Sequence, residues 1–134
     1  MAEHIVTGGV QHLRLTVTDV DRSREFYTSL VGFQVVGEFP PVVFLSNGSL
    51  VLVLGPAPER PISGDRFDPN RVGLDHLSFS VTNRDALDQA MRLFDERGVS
   101  YGALGEYPNF RIYVLPFRDP DNIQLEFTAP YSES

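Results

Sequence analysis

An internal repeat constrains this chain more than any other feature. The stretch His12-Leu13-Arg14-Leu15-Thr16-Val17-Thr18-Asp19-Val20-Asp21 aligns with His76-Leu77-Ser78-Phe79-Ser80-Val81-Thr82-Asn83-Arg84-Asp85, and His, Leu, Val, Thr and Asp coincide in register. Each copy then runs into a helical pattern. In the first, Phe26, Tyr27, Leu30 and Val31 form the apolar stripe, with Asp19 or Asp21 as the N-cap. In the second, Leu87, Ala90, Met91 and Phe94 do so, with Asn83 as N-cap and Gly98 placed to end the helix.

Three short strand patterns follow each helix. They are Phe33–Glu38, Val42–Leu45 and Leu50–Leu54 in the first half, and Tyr101–Leu104, Phe110–Leu115 and Ile123–Phe127 in the second. Pro40-Pro41, Asn47-Gly48, Pro108-Asn109 and Asp119-Pro120-Asp121-Asn122 punctuate them as turns. The expected fold is α+β: two βαβββ modules, at about 10–54 and 72–128, joined by a connector over 55–71 that is rich in proline, glycine and charge. Together they form one domain over 1–134, long enough for a real core.

Charge and composition narrow the partners. A formal net charge of −7 lacks the cationic footprint that nucleic acid or an anionic membrane requires. No cysteine is present, so thiolate metal sites and a cysteine nucleophile are excluded. Met1 to Gly9 has no basic segment followed by an apolar run, and no stretch has the length of a membrane span. The expectation is a cytoplasmic protein acting on a small molecule.

Strand alternation locates the chemistry. Leu13, Leu15 and Val17 share one face of the first strand, opposite His12, Arg14, Thr16 and Thr18. In the second half Leu77, Phe79 and Val81 oppose His76, Ser78 and Ser80, and in the last strand Ile123, Leu125 and Phe127 oppose Gln124, Glu126 and Thr128. The apolar faces suit packing under a helix, which leaves both histidines and the glutamate on polar faces. A lone strand histidine is usually structural, but these two fill the same slot of a repeat. Two imidazoles and one carboxylate suit a borderline divalent metal (iron, manganese, zinc, nickel or cobalt) and leave positions open for substrate. Asp119-Pro120 starts the turn that sets the direction of Glu126.

The repeat, the His-Leu openings, Phe26-Tyr27, Gly32-Phe33 and the Asp119-Pro120-Asp121…Glu126 ending resemble the vicinal oxygen chelate superfamily from about Val10 to Phe127. That group includes glyoxalase I, bleomycin-resistance proteins, fosfomycin-resistance thiol transferases and extradiol dioxygenases. The resemblance implies cupped mixed sheets, and its ligand positions map onto His12, His76 and Glu126. It also implies departures. Glyoxalase I carries a second glutamate on the fourth strand of its first half, where this chain has Leu50-Val51-Leu52-Val53-Leu54. Extradiol dioxygenases add an acid–base histidine, and only His4 remains here. Fosfomycin transferases surround a phosphonate with cations and hydroxyls, a part open to Arg14, Arg111 and Tyr113. Bleomycin-resistance proteins bind without a catalytic metal.

The reading is a metal-dependent enzyme with glyoxalase-like lyase or isomerase chemistry on a small oxygen-chelating substrate. An iron(II) ring-cleaving dioxygenase and a non-catalytic small-molecule binder are the alternatives. Arg14 is the candidate for holding an anionic substrate, and Arg111 and Tyr113 are catalytic candidates. Small single-pair members of the superfamily imply a homodimer, with His12 from one chain completing a site with His76 and Glu126 of its neighbour.

Overall fold

The computed structural model describes residues 3–132, so the two outermost residues at each end of the expected domain lie outside the described residues. The first half runs β1 (Leu13–Thr16), α1 (Val20–Ser29), β2 (Gln34–Phe39), β3 (Val42–Ser46) and β4 (Val51–Gly55). The second repeats that order as β5 (Leu77–Ser80), α2 (Arg84–Arg97), β6 (Gly105–Tyr107), β7 (Ile112–Arg118) and β8 (Gln124–Pro130). Each half forms its own four-stranded sheet, ordered β1-β4-β3-β2 and β5-β8-β7-β6. β1 pairs parallel with β4 and β5 with β8, while the other pairings are antiparallel. The fold is therefore α+β with two mixed sheets. The chain divides into two compact units at Ser63/Gly64, inside the expected connector.

Local chemistry explains both helices. The Asp19 carboxylate accepts a hydrogen bond from the Arg22 backbone N–H, and the Asn83 side chain accepts one from Ala86, each satisfying a donor that a helix start leaves unpaired. Asp21, the other capping candidate, lies within the first turn of α1, where its charge opposes the helix dipole. Gly98 ends α2 in the left-handed conformation, at φ 67°. A β-carbon is costly there, so glycine is the natural stop.

Each helix covers the apolar face of its own sheet. In the first unit Tyr27 packs edge-on against Phe26 and Phe33, and the core includes Val43, Leu45, Leu52 and Leu54. In the second, Leu87, Ala90 and Phe94 of α2 are buried, as are Leu115 and Phe117 of β7 and Leu125 and Phe127 of β8. Phe94 anchors that cluster, with ring centroids 4.8 Å from Phe117 and 6.1 Å from Phe127. Because Leu125 and Phe127 point into this core, Glu126 between them must point out of the opposite face.

Three expectations need correction. No strand spans Tyr101–Leu104. Tyr101 forms only an isolated bridge to Phe117, and the strand starts at Gly105. The reason is Pro116: its carbonyl accepts from Gly102 N–H, but proline has no N–H to return, so the ladder breaks there. The strand expected at Phe110–Leu115 begins only at Ile112, because Pro108–Phe110 makes a single 3₁₀ turn and Arg111 is left-handed at φ 59°. Both histidines stand one residue before their strands rather than within them.

Candidate metal centre

Register builds the site in the second unit. β5 and β8 run parallel with Ser78 opposite Glu126. His76 lies two residues before Ser78, and alternation puts both side chains on the Glu126 face. The result is a contact of 3.2 Å between His76 Nε2 and Glu126 Oε1. Glu126 is the more sheltered, with 18% of its side chain exposed against 39% for His76. Ser78 and Thr128 hydrogen-bond to each other on the same face.

The other ring nitrogen of His76 is already engaged. Nδ1 lies 2.8 Å from Asp75 Oδ1. An ionised carboxylate only accepts, so Nδ1 is the donor in this contact and Nε2 is the ring nitrogen that faces Glu126. Two electron-pair donors this close repel unless they share a cation, either a proton or a metal ion. Bonds of about 2.0–2.2 Å to one ion place neighbouring donors about 2.8–3.6 Å apart, from octahedral to tetrahedral angles, a range that includes the 3.2 Å seen here. His76 and Glu126 therefore fit a divalent metal both in chemistry and in spacing.

The first unit contains the same frame with different donors. Arg14 stands opposite Val53, as Ser78 stands opposite Glu126, so Val53 occupies the place of the glutamate. Val53 is only 4% exposed although it lies on the sheet face opposite Leu52 and Leu54. His12 Nδ1 is hydrogen-bonded to the side chain of Gln11, the residue just before it, as His76 is to Asp75. Among the described residues, no group of three or more His, Asp or Glu side chains is gathered to hold an ion. The structure brings His76 to Glu126 within the second unit, and His12 belongs to the first.

The remaining candidates have other surroundings. Arg14 donates to Thr16 Oγ1 at 2.9 Å and to the Pro56 carbonyl at 2.8 Å, close against Gly55, where a β-carbon would collide with the guanidinium. Tyr113 stands opposite Ala129, which places it on the helix-covered face and away from Glu126. Its hydroxyl donates to the Ser132 carbonyl at 2.7 Å, and the Arg84 guanidinium sits 5.0 Å from its ring centre. Arg111 is exposed in its turn, outside β7, and does not share a strand face with Tyr113. Sequence reasoning missed Asp75 and Gln124. The available signal was a hydrogen-bonding side chain, Gln11 or Asp75, directly before each histidine.

Two βαβββ units with a histidine at each opening and a glutamate on the last strand define the class to which this fold belongs. The model of the glyoxalase/bleomycin resistance protein/dioxygenase superfamily matches residues 9–127, and the chain belongs to that superfamily. The uncharacterized protein YwkD of Bacillus subtilis (strain 168) is 30% identical over 125 residues, covering 87% of this chain and 93% of that protein. A glyoxylase/bleomycin resistance protein/dioxygenase domain from Frankia sp. EAN1pec shares 33% identity with a TM-score of 0.79, over 96% of each chain. A lactoylglutathione lyase from Agrobacterium tumefaciens shares the fold, at 23% identity and a TM-score of 0.70, over 92% of this chain and 94% of that one. No helix among the described residues is long and apolar enough to cross a membrane.

Proposed function

We propose that this protein is a divalent-metal-dependent enzyme acting on a small oxygen-chelating substrate, with His12, His76 and Glu126 as protein ligands. The observation that carries the reading is the 3.2 Å approach of His76 Nε2 to Glu126 Oε1 while Nδ1 is held by Asp75. A bound divalent ion supplies Lewis-acid polarisation of adjacent substrate oxygens, the chemistry that lyase or isomerase turnover needs. The chain's own residues hold the ion and shape its surroundings. Ser78 and Thr128 offer hydroxyls beside Glu126, and the apolar Val53 takes the place of a second carboxylate.

We further propose a cytoplasmic homodimer with two equivalent sites, each using His12 of one chain with His76 and Glu126 of its neighbour. A two-fold assembly follows the rule that most homo-oligomers are closed and symmetric. The test has two stages. Protein purified without chelators is assayed for bound metal, and the His12→Ala, His76→Ala double variant should lose it while keeping its fold. Undiminished stoichiometric metal in that variant refutes the ligand set. His12→Ala and Glu126→Ala subunits are then mixed, and a shared site predicts partial recovery of binding. Verified subunit exchange with no recovery places all ligands in one chain.

Val53 favours a second reading, because a set of two histidines and one carboxylate also serves iron(II) ring cleavage. Oxygen uptake with catechols by the iron-loaded protein separates it from lyase or isomerase turnover.

A further inference from the structure

A directed chain of hydrogen bonds leads to His76 from behind. It starts at Arg118, whose guanidinium can only donate. Nη2 gives a hydrogen bond to Gln124 Oε1 at 2.9 Å, and Nη1 gives one to the Asn122 carbonyl at 3.1 Å. With its oxygen committed to Arg118, the Gln124 amide must turn its NH₂ the other way. That NH₂ donates to Asp75 Oδ1 at 2.6 Å and reaches the Asp75 carbonyl at 3.3 Å. The same Oδ1 accepts from His76 Nδ1 at 2.8 Å. Arg118 thus fixes the orientation of the Gln124 amide, and Gln124 and His76 both direct a donor at the same oxygen of Asp75.

We propose that Asp75 and Gln124 are positioning residues that hold His76 as the Nδ1–H tautomer, with Nε2 aimed at the oxygen of Glu126. The sheet makes this possible. Gln124 and Glu126 lie two apart on one face of β8, and that face points both at the segment carrying Asp75 and His76. The first unit contains only the front of the device: Gln11 holds His12, and Val51 occupies the place of Gln124 in the register that puts Val53 in the place of Glu126. A carboxylate on Nδ1–H raises the electron-donating strength of Nε2, and a neutral amide does so less. His76 is therefore the stronger donor of the two histidines.

The proposal rests on the metal reading for its purpose but not for its geometry, and the experiment separates the two. Nitrogen-15 NMR of the histidine rings in the full-length, metal-free protein carrying Glu126→Ala, which removes the carboxylate that would share a proton with Nε2, reads the tautomer, and competition with a chelator in the protein with Glu126 intact reads zinc affinity. With Asp75 and Gln124 intact, this protein should show His76 in the single Nδ1–H form. Asp75→Ala should release it into a mixture of tautomers and weaken zinc binding by about 10–100-fold, the usual effect of losing such a partner. Asp75→Asn keeps an oxygen that accepts from both Gln124 and His76, so it should restore the tautomer and most of the affinity. Gln124→Leu, which leaves Asp75 in place, should produce a smaller change in the same direction and serves if Asp75→Ala does not fold. A His76 tautomer that is mixed with Asp75 and Gln124 intact, or unchanged in both Asp75→Ala and Gln124→Leu, overturns the proposal. A locked tautomer that Asp75→Ala releases, in a protein that binds no zinc or other divalent ion, upholds the positioning role and refutes the metal reading instead.

Discussion

Replacing Asp119 should show how a turn at the edge of the sheet controls the site. Asp119 is buried, and one carboxylate oxygen accepts two backbone hydrogen bonds, from Asp121 N–H at 2.8 Å and Ile123 N–H at 2.9 Å. Its backbone closes the same turn, donating to the Ile123 carbonyl and accepting from Asn122 N–H. β8 begins at the next residue, Gln124, so this turn decides which residues of β8 face the helix. Each charge-assisted hydrogen bond contributes about 1.5–3 kcal/mol. Asp121 and Ile123 are half-buried, and water replaces part of what is lost, so Asp119→Ala should cost about 2–4 kcal/mol. Asp119→Asn keeps an accepting oxygen but not the charge, and neutral hydrogen bonds have about half the strength. Its cost should be about half that of the alanine. Urea unfolding of the metal-free protein measures both, with midpoints falling and the slope unchanged. Metal content adds a second readout, because a one-residue slip of β8 would turn Glu126 into the core. Equal losses for alanine and asparagine, or a loss below about 0.5 kcal/mol for alanine, would refute the assignment of the turn to the carboxylate.

Phe94→Ala should destabilise the protein by about 3–5 kcal/mol in the same unfolding assay, since a fully buried ring stacked among Phe117, Phe127 and Tyr101 is removed. Turnover of the glutathione–methylglyoxal hemithioacetal should be negligible with any added divalent metal, because Val53 stands where a second carboxylate would be needed; efficient turnover would show a substitute ligand. The Tyr101 phenol should titrate above its ordinary value, because it donates to Asp95 and burial further disfavours the phenolate. The folded state then binds that proton more tightly than the unfolded state, so the contribution is complete below the ordinary value and is lost as pH rises through the raised one. Asp95→Ala should bring the tyrosinate absorbance transition back towards the ordinary value.

Several features were legible in the sequence because they are encoded within a few residues. Asp19 and Asn83 cap their helices through contacts three residues away, and Gly98 stops α2 by its own backbone freedom. The alternation in β5 and β8 assigned His76 and Glu126 to one face free of helix, because a strand that is half polar declares its own orientation. β7 does not. Ile112-Tyr113-Val114-Leu115-Pro116-Phe117 has apolar or aromatic side chains at nearly every position, so its parity was hidden, and only pairing with β8 turned Tyr113 towards the helix and away from Glu126.

The sequence by itself determined the repeat, the α+β plan, the superfamily and the residue types available for chelation. The tertiary structure decided which of them meet. Gln124 reaches Asp75 across 49 positions of sequence, and Glu126 reaches His76 through the parallel pairing of β5 with β8. Parallel strands cannot be joined by a tight turn, so their register is set by the packing of the intervening helix and strands rather than by any local signal. The relay behind His76 depends on that register, which is why it is invisible until β8 is laid beside β5.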